Sequence, residues 1–215
     1  MTTSIPSRYT DRLTSDNAAM ILIDHQTGTM LLGVQDIAPI TFRNNAESLA
    51  KAAAMHGLPA VLTDSAADGP NGPLMKEVTD NLPDAPVIHR KGQISAWDDP
   101  DFVAAVEATG RKKLIMAGVT SDICLMFPAL QALAAGYEVY AVIDASGAWS
   151  DLVEQGVMLR LTQAGAIITN TAAIVADLLN DWRKPQAAGT LDIFYNAIPY
   201  YSFLVNTLQA QHASA

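Results

Sequence analysis

The 215 residues carry 13 Lys and Arg against 22 Asp and Glu, a net charge of -9 that repels a phosphate backbone and excludes nucleic acid as a partner. Half of the residues are hydrophobic and 16% are charged, so the chain is globular rather than disordered, and 1–215 has a length that one α/β domain fills. Cys124 is the sole cysteine, which rules out an intrachain disulfide and a Cys-based zinc knuckle and predicts a reducing, cytoplasmic setting. The first 16 residues are polar and mixed in charge, and no apolar run reaches the roughly 18 residues of a membrane span, so neither a signal peptide nor a membrane partner is expected.

Along the chain, short apolar runs that end in a polar residue alternate with longer helical stretches. Ala18 to Asp24 reads as the first strand, followed by a helix over Phe42 to His56 that Gly57 closes. Leu58 to Asp64 is the second strand, the segment DGPNGP (68–73) a turn-rich loop, and Pro86 to Arg90 the third strand. A helix over Asp99 to Thr109, closed by Gly110, leads to the fourth strand, Lys113 to Gly118. A helix over Ser121 to Ala135 with Gly136, a fifth strand over Glu138 to Asp144, a helix over Ser150 to Ala164 with Gly165, and a sixth strand over Ala166 to Asn170 complete the alternation. Strands apolar throughout belong to a parallel sheet covered on both faces. The expected fold is therefore α/β, a Rossmann-like doubly wound sheet, mainly parallel, of six strands in order 3-2-1-4-5-6 with helices on both faces. After Trp182 the alternation stops. Residues 190–204 hold Phe194, Tyr195, Tyr200, Tyr201 and Phe203, so 183–215 reads as a C-terminal arm that packs elsewhere. Together with the low charge, that arm predicts a homo-oligomer.

Ligands of such sheets bind beyond the carboxyl ends of the strands, where strand order reverses. Strand one delivers Asp24, His25 and Gln26 there, strand three His89, Arg90 and Lys91, and strand four the run from Gly118 to Cys124. In the 3-2-1-4-5-6 order Asp24 and Cys124 meet, and strand three lies about 10 Å from strand one, within partial reach of a lysine. With Ser121 or Thr120 as N-cap, Cys124 falls in the first turn of a helix, where free N–H groups and a neighbouring Lys91 predict a lowered thiol pKa. Asp24 would take the thiol proton and first-turn N–H groups would hold an oxyanion, which suits acyl transfer. The same residues also fit a packed core cysteine, a turn aspartate and a solvated lysine. His25 and His89 match no metal spacing and suit supporting roles. Trp97, Phe127 and Trp149 line a substrate pocket or pack in the core, Gln26 and Asn71 are candidate polar selectors of substrate, and Asp144 reads as a cap.

The segments ILIDHQ (21–26), KGQISAW (91–97) and AGVTSDIC (117–124) resemble the isochorismatase-like cysteine hydrolases, a family that includes nicotinamidases and N-carbamoylsarcosine amidases. GPNGPL (69–74), AWDDPDF (96–102) and DASG (144–147) are similar to its YcaC-like subgroup, whose members form multi-subunit assemblies. The resemblance implies a triad of Asp24, Lys91 and Cys124, a cis peptide between Val119 and Thr120, and an oxyanion hole made by the N–H groups of Thr120 and Cys124. Family nicotinamidases carry an Asp-x-His-x-x-His metal site after the second strand. Here that stretch is Asp64-Ser65-Ala66-Ala67-Asp68-Gly69, so neither a metal nor another cofactor is expected. Arg90 and Lys91 are adjacent, and strand neighbours point to opposite faces, so a shift of one residue puts Arg90 in the site. The Lys-x-x-x-Ser-Ala-aromatic spacing selects Lys91. The expected activity is hydrolysis of a C–N bond in a small amide-like molecule through a thioester at Cys124. The alternatives are a binding or interaction protein that keeps the fold without turnover, and a thiol redox enzyme using Cys124.

Overall fold

The computed structural model describes residues 10–198 and 200–213. Its six strands are β1 (Ala18–Ile23), β2 (Ala60–Ser65), β3 (Val87–Arg90), β4 (Lys113–Gly118), β5 (Glu138–Val142) and β6 (Ile167–Thr169). They form one all-parallel sheet in the order β3-β2-β1-β4-β5-β6, as the alternation predicts. Side chains alternate along each strand, and β1 feeds two cores accordingly. Ala18, Met20 and Leu22 join one, with α2 (Pro39–His56), α3 (Lys76–Thr79) and α7 (Thr171–Leu179). Ala19, Ile21 and Ile23 join the other, with α4 (Pro100–Ala108), α5 (Met126–Ala134) and α6 (Asp151–Ala164). The αL residues Gly57 and Gly165 end α2 and α6, where a side chain would be strained.

Three features depart from the expected layout. A short helix, α1 (Thr27–Gly33), follows β1 directly, and α2 starts at Pro39, whose fixed φ suits the first helical turn. Residues of the arm fold into α8 (Ala187–Ala197) and α9 (Tyr201–Ala213). Of these, α8 returns to its own body: Ile193 and Phe194 are buried in the first core, and Phe194 meets Trp182 and Tyr201 edge-on. Only α9 presents Tyr200, Phe203 and Leu204 outward at its start; residues 199, 214 and 215 lie outside the described residues. No helix among the described residues is long and apolar enough to cross a membrane.

Candidate active site

The register pairs Ile23 with Gly118 across β1 and β4, so the next residues, Asp24 and Val119, leave the sheet side by side at the point of reversal. Asp24 is fully buried and left-handed, with φ of 58°, an uncommon state for a residue with a side chain. Its backbone is pinned at both ends, the N–H to the Thr63 carbonyl at 2.9 Å and the carbonyl by the Thr29 hydroxyl at 2.8 Å. The Val119–Thr120 peptide is cis. A π-helical turn over Ser121–Leu125 follows and runs into α5, which sets the partly buried Cys124 thiol beside the Asp24 carboxyl, close enough for each to shift the other's pKa.

The cation of this site is Arg90. Its Nη2 donates to Asp24 Oδ2 at 2.6 Å, with both side chains buried. Lys91, expected as the triad lysine, is exposed, and its backbone N–H turns to the Gln93 side chain. The cause is strand phase: β3 ends at Arg90, paired with Ser65 of β2, so Arg90 points to the site and Lys91 away from it.

The electrostatics also differ from the expected thiolate. Burial pushes the Asp24 carboxyl above the usual carboxylate range against the pull of Arg90. Burial, then the adjacent Asp24, push the Cys124 thiol well above the ordinary thiol range, and Arg90 and the Thr120 backbone offset only part of this. The Cys124 side chain is therefore a neutral thiol beside Asp24 rather than a thiolate. At the helix start, the N–H groups of Ile123, Cys124 and Leu125 converge on the Thr120 carbonyl at 3.2, 2.8 and 3.3 Å. Among the described residues, the Thr120 N–H has no acceptor.

Three consecutive residues of the loop after β5 brace this machinery. The Ala145 carbonyl accepts from His25 Nε2 at 2.8 Å, Ser146 Oγ from the Gly118 N–H at 3.2 Å, and the Gly147 carbonyl from the Ser121 N–H at 2.8 Å. His25 is buried, stacked on Phe42, and its pKa falls to about 4, so it is a neutral tether. Asp144 takes the N–H and hydroxyl of Thr171 at 2.8 Å each, capping α7. The bracing and the bond from Ser121 Oγ to Glu154 Oε2 escaped sequence reasoning; the DASG segment was its only trace.

The remaining candidates separate. Gln26 is buried and fully engaged: Nε2 donates to the carbonyls of Ser65 and Gly72, and Oε1 accepts from the Ser65 N–H. Asn71 likewise donates to Ser65. Both clasp the 68–73 loop onto β2, which corrects their reading as substrate selectors. The close approach of that loop also requires Gly28, whose Cβ would lie 1.9 Å from the Pro70 carbonyl oxygen. Trp97 packs edge-on between Phe102 and Tyr137. Tyr137 directly precedes β5, at the N-terminal end of the strands and so opposite Cys124, and Trp97 packs against the second core rather than lining a pocket. Phe127 lies one turn beyond Cys124 and lines a groove of about 400 Å³ with Ile94, Leu130 and Arg160. Trp149 is 48% exposed and stands beside Thr120: a Cβ on Gly33 would lie 2.7 Å from the Thr120 methyl and 3.7 Å from the Trp149 ring. With Leu31 and Leu32 of α1, each 65% exposed, Trp149 gives this side an apolar rim. His89 Nδ1 pairs with the buried Asp64 at 2.8 Å. No group of three His, Cys, Asp or Glu among the described residues is arranged to hold a metal ion.

The isochorismatase domain family matches residues 18–173. The chain is 43% identical to the probable hydrolase YcaC of Escherichia coli over 196 residues, 91% of this chain and 93% of that one. A crystal structure of E. coli YcaC, described as an octameric hydrolase of unknown specificity, superposes with a TM-score of 0.88 over 94% of this chain and 98% of its own. YcaC from Pseudomonas aeruginosa, solved with hexane-2,5-diol and covalent acrylamide, is also 43% identical, with a TM-score of 0.88 over 93% and 98% of the two chains.

Proposed function

The chain belongs to the isochorismatase family and is a hydrolase of it, and from that premise we propose that it cleaves the C–N bond of a small amide through a thioester at Cys124. The observation that carries this reading is the buried contact of Cys124 with Asp24, itself fixed by Arg90. Asp24 removes the thiol proton as sulfur attacks the carbonyl carbon. The oxyanion forms against the unengaged Thr120 N–H, and the Cys124 N–H joins as its bond to the Thr120 carbonyl stretches. The C–N bond then breaks, Asp24 returns the proton to the leaving nitrogen, and an amine or ammonia departs. Asp24 next deprotonates a water that attacks the thioester, and the acid leaves as the thiol is restored. Arg90 never exchanges a proton, because a guanidinium stays charged; it orients Asp24. A raised thiol pKa weighs against the alternative of a thiol redox enzyme, which needs a thiolate. With its single cysteine free, the protein suits a reducing cytoplasm, where that thiol stays active.

The covalent acrylamide in the P. aeruginosa relative is the kind of adduct an amide-accepting pocket with a nucleophile would collect. Incubation with a panel of small primary amides and carbamoyl compounds is expected to release ammonia, and rapid quenching to leave an acyl mass on the Cys124 peptide. Turnover without any acyl mass on that peptide would overturn the thioester.

We also infer that the chain assembles into a homo-oligomer, supported by the octamer of its E. coli relative and by exposed Tyr200, Phe203 and Leu204. Light scattering is expected to return a multiple of 22.9 kDa. Ending the chain after Ile198 removes α9 and should lower that mass with the fold retained. Ending it after Gly189 also strips Ile193 and Phe194 from the core, and the loss of Phe194 alone costs about 3–5 kcal/mol. A monomer at full length refutes the assembly; an unchanged mass without α9 refutes the part given to that helix.

A further inference from the structure

The turn that carries Cys124 is gripped from a helix that supplies nothing to the chemistry. Glu154, buried on α6, takes the Ser121 hydroxyl at 2.5 Å, and Ser121 directly follows the cis Val119–Thr120 peptide. Next to it, the Thr120 hydroxyl donates to Asp122 Oδ1 at 2.7 Å, and Asp36, from the stretch between α1 and α2, accepts the Ala148 N–H at 2.7 Å. Thr120, the last residue before the nucleophile's turn, and Ser121, the first within it, are thus each tied by a hydroxyl to a carboxyl group. Glu154 differs from the other two in its burial and in its second oxygen: Oε1 is buried without a partner.

We propose that Glu154 is a positioning residue for the Cys124 turn: through Ser121 it sets where the Thr120 N–H and the Cys124 thiol stand relative to Asp24. This rests on Cys124 being the nucleophile. A carboxyl group has two oxygens to satisfy, and here one is satisfied. Burial, with the nearby acidic Asp36 and Asp122, raises the Glu154 pKa, and the bond from Ser121 pulls it back down. Because the folded carboxyl holds its proton to higher pH than the unfolded one, the folded state binds the extra proton between those two values. The stability from this group is therefore present at low pH and is lost as pH rises through the folded value. The hold on Ser121 itself survives ionisation, since a carboxylate accepts a hydroxyl proton more strongly than a neutral carboxyl does.

The test is alkylation of Cys124 by iodoacetamide from acid to alkaline pH in the full-length protein, with folding followed by thermal melting. Freed from its grip, the turn moves the thiol away from burial and from Asp24, the two influences that raise its pKa. Glu154→Ala should then alkylate about tenfold faster at neutral pH, the effect of a one-unit fall in the thiol pKa. Glu154→Gln, whose amide oxygen can accept from Ser121, should restore the wild-type rate. Ser121→Ala, which removes only a hydroxyl, should follow Glu154→Ala and decides the matter if the latter does not fold. Wild-type alkylation in Ser121→Ala, or a Glu154→Gln rate equal to that of Glu154→Ala, overturns the proposal. Failure of the cysteine mechanism would appear separately, as turnover retained by Cys124→Ala.

Discussion

Cys124→Ala is expected to abolish amide hydrolysis, with a loss on the order of 10⁴-fold or more, while the protein keeps its fold and its assembly. The change removes one sulfur atom from a partly buried position in a turn whose backbone is held by Thr120, Ser146 and Gly147, so nothing structural depends on it. Cys124→Ser should be nearly as inactive. A hydroxyl is harder to deprotonate than a thiol, and even with its raised pKa the Asp24 carboxylate is a weak base for it. Ammonia release under steady-state conditions, with circular dichroism and light scattering on the same samples, checks both variants. An alanine variant with more than a trace of the wild-type rate would remove Cys124 from the chemistry and leave Asp24 and Arg90 to be explained as a buried structural ion pair.

The second large effect is expected from the Arg90 pair. Arg90→Met should destabilise the protein by about 3–5 kcal/mol at neutral pH, because the variant leaves the Asp24 carboxylate buried without its partner. The deficit has a defined pH dependence. Burial already raises the Asp24 pKa, and loss of the guanidinium raises it further, so the folded variant binds a proton that the unfolded chain releases near the usual carboxylate value. Its stability is therefore highest in acid and falls as pH climbs from that value through the raised one. Relative to wild type, Arg90→Met should look least damaged at the acid end and worst above neutrality, and turnover should be lost at every pH. Lys91→Met, at an exposed position, should change stability by no more than about 0.5 kcal/mol and leave the rate alone. Urea unfolding of both variants at several pH values checks this. A strong defect in Lys91→Met with a mild one in Arg90→Met would restore the lysine to the site.

The pair also marks the boundary of what the sequence makes legible. Strand order could be read because β1 is apolar along its whole length, β2 and β4 carry apolar runs, and glycines close the intervening helices. That places Asp24 beside Cys124 without any knowledge of side-chain contacts. Which of two adjacent basic residues faces inward depends on the phase of a four-residue strand, and a period of two gives opposite answers for registers one residue apart. Gln26 and Asn71 carry the functional groups of a substrate selector, and only the path of the 68–73 loop shows that the backbone of Ser65 and Gly72 has consumed them. The tryptophans divide for the same reason: Trp97 meets Tyr137 at the N-terminal end of the strands and Trp149 stands with Thr120 over Gly33 at the C-terminal end, a distinction made by tertiary packing alone. The expected thiolate failed on a balance of magnitudes. A helix start and one cation lower a thiol pKa, but burial beside a carboxylate raises it more.

The three braces from Ala145, Ser146 and Gly147 come from chain that is made after the residues they hold. A nascent chain has already emitted Asp24, Arg90 and Cys124 by the time residue 124 is made, yet at that stage His25, Gly118 and Ser121 have nothing to lean on. The acceptors reside on the fifth strand's loop, some twenty residues later, and β5 itself docks only onto a completed β4. During synthesis from the N-terminus, the thiol therefore passes through a period in which it is present but not aligned, and maturation is completed by a segment that takes no part in the reaction.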